Sequence, residues 1–351
     1  MNSRPFGPLL ALALLTLLTG SLLACGQQSD YYLHDGLENK DTVAELLALY
    51  DDASDAERFA IIREVADVYL ADQDYDRAIC FLTDMIERDD DFVYNTYFML
   101  QIAWIYSQKE DFPIASLYLD RILKNHADLQ VNGQSIHYSS LRQLIQLVTQ
   151  PARRIEYRQE LIERFPELIN LGTEQFLLGK DYESIGEWDA AMDCYRQFSF
   201  NFSEDVPGYP VAIQYARNLI ALSTTRKDWT YETLEELLDI IRQALATRNT
   251  YLLGQLRSKV GFFAMDWHQD KNDGNSQVLF DFAAFIDGDR VYYESTLDPA
   301  SSAQEAFLRT WGWTERIAVW YLYFRKIDFP ADPEFHGRWE WAGIYFGEKL
   351  Q

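Results

Sequence analysis

Five histidines, three cysteines and a dense acidic complement are the first places to look for chemistry in this 351-residue chain. Asp266-Trp-His268-Gln-Asp270-Lys-Asn272-Asp273-Gly274 alternates oxygen-bearing side chains ahead of a glycine, in the manner of a calcium loop. Such a loop also needs a bidentate Glu at its twelfth position. Counting from Asp270 reaches Asp281, and counting from His268 reaches Leu279, so the stretch reads as a polar turn between strands. His34, His126, His137, His268 and His336 are scattered, with no cysteine at ligand spacing. The chain has no Gly-x-x-x-x-Gly-Lys loop, no Gly-x-Ser-x-Gly elbow and no His-Glu-x-x-His helix. Cys80 and Cys194 read as buried free thiols on well-separated helices. No catalytic pair, cofactor or metal site is nominated, and the expectation is a protein that is not an enzyme.

The third cysteine has a different context. Arg4 precedes an apolar run from Leu9 to Leu18, and Leu22-Leu23-Ala24-Cys25-Gly26 follows. A charged start, about ten apolar residues and a small-residue end describe a secretory signal, because a membrane span needs about 20 apolar residues. Leu-Leu-Ala-Cys resembles the lipobox of bacterial lipoproteins. That resemblance implies cleavage of residues 1–24, lipidation of Cys25 and a membrane-anchored protein facing the periplasm. Gly26 in place of Asp favours the outer membrane over the inner one by the same resemblance. Each buried CH₂ contributes about 0.8 kcal/mol, so several acyl chains hold where one is marginal. Residues 25–40 are polar and aperiodic and are expected to form a tether.

Self-similarity governs the middle of the chain. Val65-Ala66-x-x-Tyr69 precedes Asp74-Tyr75-x-x-Ala78, and Ile102-Ala103-x-x-Tyr106 precedes Asp111-Phe112-x-x-Ala115. Leu178-Gly179-x-x-Tyr182 followed by Glu187-Trp188-x-x-Ala191 is a third copy. These residues resemble the tetratricopeptide repeat (TPR), which implies stacked helical hairpins with a small residue at each crossing. Neither helix buries its apolar stripe alone, so neighbouring pairs must stack. Between the second and third copies, Leu141, Leu144, Ile145 and Val148 keep helical spacing, and Ile155, Leu161, Ile162 and Phe165 supply a partner before Pro166. A further pair is expected from Ala212, Tyr215, Ala216 and Leu219 with Leu234, Leu237, Leu238 and Ile241. Val43, Leu46, Leu47 and Tyr50 predict an opening helix, with Thr42 and Glu45 spaced as a capping box.

Past Asn249 the period shortens to two. Val278, Phe280, Phe282, Ala284 and Ile286 alternate, Asp287-Gly288 supplies a hairpin turn, and Arg290 to Glu294 returns. Strands are also predicted over Glu315–Arg325 and Gly337–Phe346, with Ser302 and Glu305 capping a short helix between them. Both faces of Ile317–Phe324 are apolar, so that strand must be covered on both sides. Trp311, Trp313, Trp320, Trp339 and Trp341 place five of the nine tryptophans between residues 311 and 341, which predicts an aromatic core.

The expected architecture is an α+β multidomain protein: an N-terminal α-helical TPR-like solenoid followed by a small antiparallel-β-rich C-terminal domain. Its divisions are signal 1–24, tether 25–40, helical repeats 41–248 and a β-rich domain 249–351. With 55 acidic against 31 basic residues the net charge is −24, which argues against nucleic acid as a partner. The TPR resemblance implies a concave wall built from first-helix residues: Arg63, Asp67, Tyr97, Leu100, Trp104, Phe176, Lys180, Ile213 and Arg217. Aromatic and arginine side chains are common interface anchors. The leading expectation is a lipid-anchored envelope scaffold whose groove holds a protein or peptide partner. The alternative is a periplasmic small-molecule-binding or transporter-accessory lipoprotein, with a cavity lined by Trp320, Tyr323 and Trp341.

Overall fold

Short polar side chains and a repeated turn shape the helical part of the chain. The computed structural model describes residues 31–33, 36–37, 39–202, 205–269, 281–286 and 290–349. The expected signal peptide, Cys25, the loop from Asp270 to Gly274, the strand start at Val278 and the Asp287-Gly288 turn lie outside these residues. The chain divides into two compact units, Met1–Phe165 and Pro166–Gln351.

In the first unit, α1 (Lys40–Leu49) starts at Asn39, so Thr42 and Glu45 lie within the helix and form no capping box. The box is instead at α2 (Asp55–Ala71), where the Ser54 N–H donates to Glu57 Oε2 at 2.9 Å. The helices α3 (Tyr75–Arg88), α4 (Asn95–Gln108) and α5 (Phe112–Asn125) follow. A two-residue hairpin, β1 (Gln130–Val131) and β2 (Gln134–Ser135), turns at Asn132-Gly133 with φ of 53° and 78°. Then come α6 (Ile136–Leu147) and α7 (Pro151–Arg164), the predicted degenerate pair. Each helix packs on the next, and α4 also packs on α6, as stacked first helices must.

Ala66, Ala103, Ala78 and Ala115 are all fully buried at the crossings. The residues expected as tether are shorter than predicted, because Tyr32 and Leu37 are buried in the first unit's core. The Tyr69 hydroxyl donates to the Tyr32 carbonyl at 2.8 Å, and Arg77 Nε donates to the Tyr31 carbonyl at 3.0 Å.

The second unit opens with a hairpin of α8 (Leu171–Ser184) and α9 (Trp188–Asn201). A Cβ on Gly179 would lie 2.7 Å from the Tyr195 ring, so glycine is what permits this crossing. Next, α10 (Ala212–Thr224) packs on α9 and shares a core with Trp229, Ile327, Phe329 and Phe335. It does not share a core with α11 (Leu234–Ala246), its expected partner. Instead α11 packs on α12 (Thr250–Leu256), which sequence reading missed.

The same turn recurs in four places. The N–H of Asp74, Asp111, Glu187 and Asn249 donates to the carbonyl five residues earlier, on Tyr69, Tyr106, Tyr182 and Ala244, at 2.9–3.0 Å. The residue before each donor has positive φ: Gln73 57°, Glu110 58°, Gly186 79° and Arg248 52°. Thus α11 and α12 form a repeat-like hairpin, separated from α10 by an insertion.

The sheet has the order β3-β7-β6-β5-β4, with strands β3 (Phe263–Asp266), β4 (Tyr292–Tyr293), β5 (Glu305–Trp311), β6 (Val319–Lys326) and β7 (Trp339–Phe346). The β3–β7 pair is parallel and the others are antiparallel. Three expectations are corrected here. Phe282–Phe285 is a short helix, α13, rather than part of an alternating strand. The return segment pairs through β4 with β5. Ser302 caps no helix; its hydroxyl accepts from the Gln304 and Glu305 N–H groups at 3.2 and 3.1 Å, and Glu305 starts β5.

As predicted, β6 is apolar on both faces. Trp320, Leu322 and Phe324 join Leu237, Ile241 and Leu253 in one cluster, so α11 belongs to the sheet's core and no break occurs at residue 248. Tyr321 and Tyr323 face Phe263, Met265, Phe307 and Tyr345 on the other side. Full burial of each such aliphatic or aromatic side chain contributes about 1.5–3 kcal/mol.

Candidate functional site

The nine wall residues fall in two groups, five in the first unit and four in the second. In the first unit, α2 supplies Arg63 and Asp67, both exposed, and α4 supplies Tyr97, Leu100 and Trp104. Positions 97, 100 and 104 lie on one helical stripe because residues three and four apart are neighbours. Trp104 is 44% exposed, while Tyr97 and Leu100 are half-buried.

The α2 and α4 residues act on one another. Although Asp67 as a residue is exposed, partial desolvation of its carboxyl holds it above its ordinary pKa, against the pull of the Arg63 guanidinium. Burial also raises the Tyr97 hydroxyl, and the Asp67 charge adds to the rise. Arg63 lies 5.9 Å over the Phe59 ring, and that ring meets Tyr97 edge-on at 5.2 Å. Arg63, Asp67 and Tyr97 therefore share one surface, carried by rigid helices.

One residue of this surface was not legible as a site residue. Gln101 sits on the same stripe, four residues from Tyr97 and three from Trp104. Its Oε1 is shielded from solvent and has no donor among the described residues. A buried amide oxygen left without a donor costs about 1–3 kcal/mol.

The second unit's four residues differ from one another. Phe176 is 1% exposed and surrounded by Tyr195, Phe198, Tyr209 and Tyr215, so it is a core residue and not part of a wall. Lys180 donates to Glu183 Oε1 at 2.9 Å and to the Tyr215 hydroxyl at 3.1 Å. Glu183 also accepts from the Tyr195 hydroxyl at 2.6 Å, closing a network of the unit's interior. Burial and the Glu183 carboxylate push both tyrosine hydroxyls far above their ordinary range. Ile213 packs half-buried against the α8–α10 core, and Arg217 is exposed.

The three residues proposed for the small-molecule alternative do not line one common cavity. Trp320 and Trp341 are fully buried on one face of the sheet, and Tyr323 is on the other. Cys194 is buried, which pushes its thiol up to about 11. Cys80 is exposed, contrary to expectation, with its sulfur 3.9 Å from the Tyr31 hydroxyl. Asp266, which opened the calcium-like pattern, accepts from the His268 N–H at 2.7 Å and the Gln269 N–H at 3.2 Å as an ordinary turn. Among the described residues no group of three His, Cys, Asp or Glu could hold a metal, and no helix is long and apolar enough to cross a membrane.

No protein-family profile matches the chain. No curated protein matches it either. Among solved structures it is similar to a crystal structure of MamA at 17% identity and a TM-score of 0.30, over 45% of this chain and 83% of that one. A second MamA crystal structure has 16% identity and a TM-score of 0.32, over 48% of this chain and 82% of that one. The TPR domain of P58(IPK) has 14% identity and a TM-score of 0.26, over 57% and 56% of the two chains. The helical-repeat architecture stands on this chain's own recurring turn and buried crossing residues.

Proposed function

We propose that this chain is a non-enzymatic, lipid-anchored adaptor of the bacterial cell envelope, which holds a protein or peptide partner against the α2/α4 face of its first unit. The observation that carries the reading is the α4 stripe. An exposed indole at Trp104 lies beside half-buried Tyr97 and Leu100. An extended or helical segment placed there would cover the apolar side chains. Arg63 and Asp67 at the edge would select the partner's charge pattern and orientation. Lipidation at Cys25 would concentrate the adaptor at a membrane facing the periplasm, with the outer membrane preferred because Gly26 follows the cysteine.

Affinity purification from detergent-solubilised envelopes tests the partner surface, comparing wild type with Trp104→Ala combined with Arg63→Glu. At least one co-purifying protein is expected to disappear in the variant. Identical sets of proteins in both samples would remove this surface from consideration. The anchor is tested separately: Cys25→Ser should move the protein from the membrane fraction to the soluble one, and continued sedimentation with membranes refutes lipidation.

A further inference from the structure

One rung of the sheet carries three charges in register: Glu305 on β5, Arg325 on β6 and Glu340 on β7. A β-bulge makes this possible. Tyr323 pairs with Gly343 and Phe324 with Trp341, so Ala342 is the extra residue and Glu340 falls opposite Arg325. Glu340 is 2% exposed, and its carboxylate accepts from Arg325 Nε at 2.8 Å and from the Trp229 indole N–H at 3.0 Å. A buried ion pair contributes little net stability, because desolvation offsets the attraction. Here the pair orients the guanidinium of an arginine whose side chain is 41% exposed. Among the described residues Arg325 hydrogen-bonds through Nε alone, which leaves its two terminal NH₂ groups without a hydrogen-bond partner there.

Arg325 lines two openings of the second unit. One, of about 780 Å³, is lined by Glu305, Tyr323, Lys326, Asp328 and His336 as well as Arg325. The other, of about 310 Å³, is lined by Tyr215, Asn218, Leu222 and the same segment 325–328 at the end of β6. The larger falls within the usual size range of small-molecule sites. Its two cations, Arg325 and Lys326, are matched by two carboxylates, Glu305 and Asp328, in a chain whose net charge is −24.

We infer that this cleft binds a small zwitterion, an amino acid or short peptide, whose carboxylate takes the two free NH₂ groups of Arg325 and whose ammonium faces Glu305 and Asp328. A guanidinium fork matches a carboxylate in a bidentate way that a lysine cannot. Holding it in place beforehand removes part of the ordering cost of binding. The site is separate from the partner surface around Trp104 and does not depend on it.

The test is a thermal-shift screen of the full-length protein against the twenty standard L-amino acids and L-alanyl-L-alanine, followed by titration calorimetry of any that binds. At least one is expected to raise Tm, and its N-acetyl and carboxamide derivatives to bind at least tenfold more weakly. Arg325→Lys keeps a cation for Glu340 but loses the fork; it should fold with nearly unchanged unliganded Tm and bind at least tenfold more weakly. Arg325→Gln should bind no more tightly than Arg325→Lys. No shift with any of the 21 compounds, undiminished binding by Arg325→Lys, or equal binding of the N-acetyl derivative would each overturn the proposal.

Discussion

At the scale of single residues, His137 couples the first unit's stability to pH. Its Nε2–H donates to the His126 carbonyl at 3.0 Å, and its Nδ1 accepts from Arg164. A second proton would put an N–H against that arginine donor. Burial, and then the Arg164 charge, accordingly hold the imidazole below its ordinary pKa. The unfolded histidine titrates near 6.5, so on acidification the unfolded state takes up the proton first. The contribution is complete above about pH 6.5 and is lost as pH falls toward the folded value. In His137→Gln the amide can still reach the His126 carbonyl but no longer titrates, so its Tm should fall less than that of wild type between pH 7 and pH 5. Parallel Tm profiles for the two proteins would contradict this assignment. Two glycines make a second test. Gly179→Ala would force a methyl to 2.7 Å from the buried Tyr195 ring, whose hydroxyl is tied to Glu183. Overpacking outweighs the helix propensity gained, for a net loss of about 1–2 kcal/mol by urea denaturation. Gly254→Ala in α12 meets nothing within 4 Å and should be neutral or stabilising by up to about 1 kcal/mol.

At the scale of elements, the turn at Arg248-Asn249 makes α11 and α12 a hairpin. The Asn249 side chain accepts from the Leu252 N–H at 2.9 Å, so Asn249→Ala should cost about 1 kcal/mol, measured by chemical denaturation. A cost below about 0.3 kcal/mol would mean that the cap does not hold this turn. The same turn explains which parts of the fold were legible. The pairs around Tyr69, Tyr106 and Tyr182 could be read because a small residue and an aromatic recur at fixed spacing ahead of an acidic cap. For α11, the apolar stripe Leu234, Leu237, Leu238, Ile241 is the same whether its partner lies before or after it. Only the cap-bearing turn distinguishes the two, and Ala244 replaces the tyrosine that marks the others. In the sheet, Ser302-x-x-Glu305 has the spacing of a helix cap, yet a serine hydroxyl can equally bend the backbone into a strand. Phe282–Phe285 is too short for periodicity to separate helix from strand. Among the wall residues, the register that put Tyr97 and Trp104 on a surface also selected Phe176. Its failure follows from the ring of Tyr195, Phe198, Tyr209 and Tyr215, which belongs to tertiary packing that no spacing reveals.

At the scale of the whole molecule, the docking of Tyr31, Tyr32 and Leu37 sets how far the first repeat can stand from a membrane. Tyr31 and Tyr32 are held by Arg77 and Tyr69, so on the anchored reading only residues 25–30 separate the lipid from the first repeat. Six residues reach about 20 Å at full extension. The molecule carries its own reporter, because Cys80 is exposed 3.9 Å from the Tyr31 hydroxyl, whereas Cys194 is buried with its thiol raised to about 11. A maleimide donor should therefore label Cys80 selectively in the lipidated protein, whose Cys25 sulfur is already acylated. Reconstituted in vesicles with a headgroup acceptor, this protein should show strong energy transfer. Inserting 20 Gly/Ser residues after Gly26 adds a coil of about 25 Å root-mean-square length and should lower the transfer markedly. Cys25→Ser, labelled under conditions that leave one dye per chain, should abolish it by releasing the protein. Transfer that is unaffected by the insertion would mean that something other than the N-terminal segment brings the first repeat to the lipid surface.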